Sequence, residues 1–114
     1  MSVTIHGLRN CDTMRKAAAW LDAQGIAYRL HDYRRDGLDP ALLRDWVAAL
    51  GWEVLLNRAG TSFRKLPEAA RAVPHAEAAI GLMLAEPAMI KRPVLTRGGP
   101  LAVGFQPAAW AKLF

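Results

Sequence analysis

The chain begins with Val3, Thr4 and Ile5 alternating apolar and polar and stops at Gly7, the pattern of a short strand. Met14, Ala17, Ala18 and Leu21 then recur at helical spacing, which predicts a helix from Asp12 to about Gln24 with Gly25 at its end. Residues 26–33 alternate again and predict a second strand. A strand, a helix and a strand in succession form a βαβ unit, so the two strands are expected to be parallel. Asp39-Pro40 supplies an N-cap followed by proline in the first turn, and Leu43, Trp46, Val47 and Leu50 give that helix its apolar stripe. Residues 55–66 read as a polar, basic loop. Residues 74–86 read as a helix with Ala76, Ala79, Ile80 and Met83 on one face. Pro93 to Thr96 and Leu101 to Val103 flank the turn Arg97-Gly98-Gly99-Pro100 and predict a β-hairpin, and residues 107–114 predict a closing helix.

The order βαβ, helices, ββα predicts an α/β protein of thioredoxin-like topology. A mixed four-stranded sheet is expected, with a helical insertion over about 39–90 between the two units. At 114 residues the chain reads as one domain, 1–114. Hydrophobic residues at 53% exclude a disordered chain, and no apolar run reaches the roughly 18 residues of a membrane span. No signal peptide is apparent at the N-terminus.

Fifteen lysines and arginines against ten acids give a net charge of +5. The cations are scattered in short pairs with no dense basic helix and no aromatic RNA-binding motif. Nucleic-acid binding is therefore not expected, whereas a small anion is. The one cysteine, Cys11, excludes an internal disulfide and a multi-cysteine zinc site and fits a reducing cytoplasm. His6, His31 and His75 show no metal-ligand spacing, so no metal is expected.

Cys11 stands between the first strand and the first helix. The N–H groups and dipole of a helix start favour an anion, so a thiolate there is suited to nucleophilic attack. The competing reading is a buried structural cysteine. Asn10 is a candidate helix cap and Thr13 a candidate donor to the thiolate; the alternative is that both serve backbone groups alone. Asp12 would oppose a nearby thiolate and is expected to face solvent. No resolving cysteine exists, so a redox cycle through Cys11 needs an external thiol, glutathione being the simplest. Lys91-Arg92-Pro93 precedes the third strand. In a thioredoxin-like fold this proline faces the helix-start cysteine, typically in the cis form, and Arg92 offers a guanidinium to an anion or thiolate. The alternative is a trans proline opening an edge strand. Residues 57–66 carry Arg58, Arg64 and Lys65 with two hydroxyls and a glycine, donors suited to an oxyanion or carboxylate or to plain solvation.

Gly7 to Ala17, His31-Asp32-Tyr33, Leu55 to Thr61, Phe63 to Leu66 and Ile90 to Pro93 together resemble the arsenate reductase (ArsC) family. The resemblance is closest to its YffB-like branch, related to the Spx regulators, and it runs in order through essentially the whole chain. It implies a thioredoxin-like fold with a helical insertion. It implies Cys11 as nucleophile, with Arg58 and Arg92 at two of the family's anion-binding arginines. Asn10, Thr13, Lys65, Lys91 and Pro93 are the candidate substrate- and glutathione-binding residues. Two departures stand out. The family's third arginine, in the last hairpin, has no counterpart in residues 102–107. The histidine preceding the cysteine is replaced at or near Gly7. The expected function is a glutathione-dependent thiol-disulfide reductase with no tightly bound cofactor and glutathione as co-substrate. It would act as a cytoplasmic monomer on a small or protein thiol or oxyanion substrate, with glutaredoxin a candidate partner. The alternatives are an Spx-like RNA polymerase-binding regulator, disfavoured because Met14 stands where a second cysteine would complete C-x-x-C, and a true glutathione- and glutaredoxin-dependent arsenate reductase.

Overall fold

The computed structural model describes residues 2–114. The described residues form two compact units: residues 2–37 with 92–114, and residues 38–91.

The first unit carries a four-stranded open sheet. Strands β1 (Val3–Gly7), β2 (Tyr28–Asp32), β3 (Val94–Arg97) and β4 (Pro100–Val103) lie in the order β2-β1-β3-β4. β1 pairs parallel with β2 and antiparallel with β3, and β3 pairs antiparallel with β4. Helix α1 (Asp12–Ala23) makes the crossover from β1 to β2. This is the mixed sheet of a thioredoxin-like fold.

Because side chains alternate across a strand, Val3 and Ile5 share a face with their partners Tyr28, Leu30 and Leu95. There they pack with Met14, Ala17 and Leu21 of α1 and with Trp110. Trp110 belongs to the closing helix, which spans Pro107–Ala111 rather than 107–114. It is a core residue with its indole N–H donated to the Gly104 carbonyl at 3.1 Å. α1 ends in a Schellman closure. Gly25 has φ +68°, and the Gly25 and Ile26 N–H groups donate to the Asp22 and Leu21 carbonyls.

β2 is shorter than residues 26–33. Asp32 ends it by accepting the Arg34 N–H, which caps a single turn, α2 (Tyr33–Asp36), that turn propensities alone do not announce.

The second unit is helical. Its elements are α3 (Pro40–Leu50), α4 (Trp52–Leu55), α5 (Thr61–Arg64), α6 (Glu68–Arg71) and α7 (Ala76–Ala85), followed by a 3₁₀ turn at Pro87–Met89. Asp39 caps α3 as anticipated, its carboxylate accepting the Ala41 N–H at 2.9 Å. α7 starts two residues later than its sequence pattern suggests, because His75 serves as N-cap and its Nδ1 accepts the Ala78 N–H. The segment expected as a plain loop over 55–66 contains the end of α4 and all of α5. Its irregularity is punctuated by buried anchors at Leu55, Leu56 and Phe63. Leu56 also bridges to Ile90, and the Asn57 N–H donates to the Met89 carbonyl, which ties the start of this segment to the turn after α7.

Candidate functional site

Cys11 is itself the N-cap of α1. Its backbone is extended (φ −125°, ψ 129°), and its carbonyl accepts the Arg15 N–H at 3.0 Å. The sequence made Asn10 a candidate cap; instead Asn10 lies exposed one residue earlier, because the first helical hydrogen bond starts at Cys11. No side-chain hydrogen bond caps the helix, so the thiol is not engaged as a capping group. Cys11 is half-buried. Asp12 is exposed and paired with Arg15, as expected of a carboxylate turned to solvent. Thr13 sits in the first turn of α1.

Around the thiol opens a cavity of about 340 Å³, lined by Leu8, Arg9, Asn10, Cys11, Asp32, Arg34 and Arg92. The three guanidinium-bearing residues come from the β1–α1 loop, from α2 and from the segment entering β3. Of the residues picked out in the sequence, the cavity joins Cys11, Asn10 and Arg92. The Arg92–Pro93 peptide bond is cis, as the fold suggested. The stem of Arg92 passes close to Gly7, where a Cβ would lie 3.3 Å from the Arg92 Cγ and 2.5 Å from the Met14 Sδ. A Cβ at position 7 would force the Met14 side chain to shift, so glycine is what lets these two side chains approach the strand so closely.

Arg9, Arg34 and Asp32 were not singled out as site residues. Arg9 and Asp32 fall within the family-like stretches, but their convergence depends on the pairing of β1 with β2. Asp32 accepts the Arg34 N–H at 2.9 Å and the Arg9 N–H at 3.3 Å. It thereby ties the loop that carries Cys11 to the end of β2. Its backbone N–H donates to the Asp36 carboxylate. That acceptance and the Arg35 guanidinium hold the Asp36 carboxyl well down, at about 2, with Arg35 the larger cause. Next to Asp32, Tyr33 is buried and its hydroxyl finds no hydrogen-bond partner among the described residues. Burial pushes that phenol well above its ordinary range, with the Arg92 charge acting in the opposite sense.

Arg58, Lys65 and Lys91 belong to the helical unit. Arg58 is the central residue of an Asx turn in which the Asn57 side chain accepts the Ala59 N–H, and its guanidinium lies over the Trp52 ring at 5.4 Å. Lys65 ends α5, and the Lys91 N–H donates to the Leu55 carbonyl.

The opposite face of the sheet places His6 beside its register partner His31, ring centroids 5.0 Å apart, with the His6 Nε2 2.9 Å from the Thr96 hydroxyl. Burial, and secondarily His31, lowers the His6 imidazole to about 4. Among the described residues no group of three or more His, Cys, Asp or Glu side chains could hold a metal ion, and no helix is long and apolar enough to cross a membrane.

The sheet order and a cysteine at the first helix start define a protein of the thioredoxin-like class. Within that class the chain belongs to the ArsC family, whose model matches residues 6–113. It is 36% identical over 112 residues to an uncharacterised protein of Haemophilus influenzae, covering 98% of both chains. Among solved structures it resembles the YFFB protein, with 52% identity, a TM-score of 0.90 and 97% of each chain covered. It also resembles an arsenate reductase (ArsC) related protein of Brucella melitensis. That match has 55% identity and a TM-score of 0.81, covering 98% of this chain and 93% of the other.

Proposed function

We propose that the protein is a redox enzyme that reduces disulfides at Cys11 at the expense of glutathione. The observation that carries this reading is a half-buried thiol at the N-cap of α1, not used for capping, in a cavity lined by three arginines. Membership of the ArsC family and the likeness to an arsenate reductase related protein support the redox part of this reading.

The Cys11 thiolate attacks one sulfur of a disulfide R–S–S–R′. A Cys11–S–S–R bond forms, the original S–S bond breaks, and R′–S⁻ leaves and takes a proton from solvent. A first glutathione thiolate attacks the Cys11 sulfur and releases R–S⁻. A second glutathione thiolate attacks the glutathione sulfur of the new mixed disulfide, regenerating the Cys11 thiolate and giving oxidised glutathione. Two glutathione molecules are oxidised for each disulfide reduced. The N–H groups at the start of α1 and the guanidiniums of the cavity stabilise the sulfur anion in each exchange. Arg58, by its match to the family, is assigned with Arg92 to the charge of the substrate, and Asn10, Thr13, Lys65, Lys91 and Pro93 to its binding.

Mass spectrometry of the protein after exposure to oxidised glutathione tests the reading. One glutathionyl group on Cys11 is expected, absent in Cys11→Ser and removed by excess reduced glutathione. An unmodified wild-type chain at high oxidised glutathione defeats it.

A further inference from the structure

The charged residues lining the Cys11 cavity are the arginines Arg9, Arg34 and Arg92 and one acid, Asp32. Asp32 is only 8% exposed. Its two oxygens each accept one backbone N–H, from Arg34 and from Arg9. Arg9 stands two residues before Cys11, so these bonds hold the carboxylate and the thiol-bearing loop in one frame. A carboxylate accepts at about four positions, and the two amides account for two of them. A buried carboxylate is costly to maintain unless a positive group meets it. A compact dianion entering this cavity would gain from the guanidiniums and be opposed by Asp32. An uncharged disulfide would use neither. A zwitterion uses both.

We propose that Asp32 determines specificity at this site by accepting the α-ammonium of an amino-acid end on the thiol or disulfide that reacts at Cys11, while Arg9 and Arg92 take that end's carboxylate. The inference rests on the thiol–disulfide reading above and deepens it. The substrate class is a peptide thiol or disulfide with a free α-amino-acid terminus, and glutathione, with its γ-linked glutamate, is one member. Arg9 suits the role because its backbone N–H is fixed by Asp32 while its side chain is exposed at the cavity.

The test compares the rates at which three disulfides modify Cys11 in the full-length protein: oxidised glutathione, the disulfide of glutaryl-Cys-Gly, and neutral 2,2′-dithiodipyridine. The glutaryl compound keeps both carboxylates of glutathione and lacks only the ammonium. Wild type is expected to react with oxidised glutathione about tenfold faster than with the glutaryl analogue, the loss typical of one charge-assisted hydrogen bond. Asp32→Asn should bring that ratio close to one. General damage to the loop would slow all three reagents and leave the ratio unchanged. Arg9→Ala should slow both carboxylate-bearing disulfides alike and spare the neutral one. Equal wild-type rates for glutathione and its glutaryl analogue overturn the assignment of Asp32 without touching the thiol–disulfide reading, and they do so without any variant. A ratio that survives Asp32→Asn overturns it too. If oxidised glutathione leaves Cys11 unmodified while the neutral disulfide labels it, both readings fall.

Discussion

Single residues set the shape and charge of the site. Gly7 is needed for space rather than for an unusual backbone angle: a Cβ there meets Met14, which is 1% exposed, and the stem of Arg92. Gly7→Ala forces both to shift, and overpacking of this kind costs about 1–3 kcal/mol. Urea unfolding should show that loss, and Cys11 should react more slowly with oxidised glutathione because Arg92 is displaced; unchanged stability would mean that Met14 can yield. His6 makes a pH prediction. Its imidazole sits at about 4 in the fold, against the ordinary 6.5 of a free side chain. The unfolded chain therefore binds a proton that the folded chain refuses between those values, and stability falls as pH drops from about 6.5 towards 4. At 1.36 kcal/mol for each unit, the full effect is of order 3 kcal/mol. NMR titration should find the His6 ring still neutral at pH 5; a ring titrating near 6.5 would contradict the burial argument.

At the scale of elements, helix ends do most of the local specification. α1 closes through Gly25 but opens on Cys11, a residue with little capping ability, so the β1–α1 loop is held from β2 by Asp32 instead. α3 has an ordinary cap. Asp39→Ala removes the acceptor of the Ala41 N–H and should destabilise the protein by about 1 kcal/mol, measured by chemical denaturation. The closing helix is short but anchored. Trp110→Ala removes a side chain 1% exposed together with its bond to Gly104, and a loss of about 3–5 kcal/mol is expected. Phe114→Ala, at a residue 41% exposed, should change stability far less. Similar losses for the two would show that the Trp110 indole is not the anchor of this helix.

Across the whole molecule, charge and family membership bear on selectivity. The net charge of +5 and the arginine-lined cavity together favour anionic partners. Raising ionic strength from about 0.05 to 0.5 M should slow the reaction of Cys11 with oxidised glutathione several-fold while leaving 2,2′-dithiodipyridine almost unaffected. Equal sensitivity would remove the electrostatic account. Arsenate is a harder case. It needs charge on several sides, the last hairpin and the residues after it carry no arginine over 102–107, and Asp32 lies in the cavity. Turnover with glutathione and glutaredoxin is expected to stay below about 1 s⁻¹, the low end of ordinary enzymes; faster turnover in a steady-state assay would refute this.

What could be read from the chain alone was whatever its neighbours in sequence encode. Alternation around Val3 and Ile5, the 3.6-residue stripe from Met14 to Leu21, Asp39-Pro40 and the Gly98-Gly99 turn are local signals, and the elements they announce are present. Cys11 at the strand-to-helix junction was legible for the same reason, as was the βαβ order that makes β1 and β2 parallel. The short turns were not. α2 depends on the Asp32 cap, while α5 surrounds the buried Phe63, so burial and capping decide what polar composition hides. The assembly of the cavity was also beyond the sequence. Asp32 meets Arg9 across 23 positions of chain, and Arg92 reaches Gly7 only because β3 pairs beside β1. Propensity acts between near neighbours, whereas which distant side chains face one thiol is decided by strand order, register and the space left by a missing side chain at Gly7.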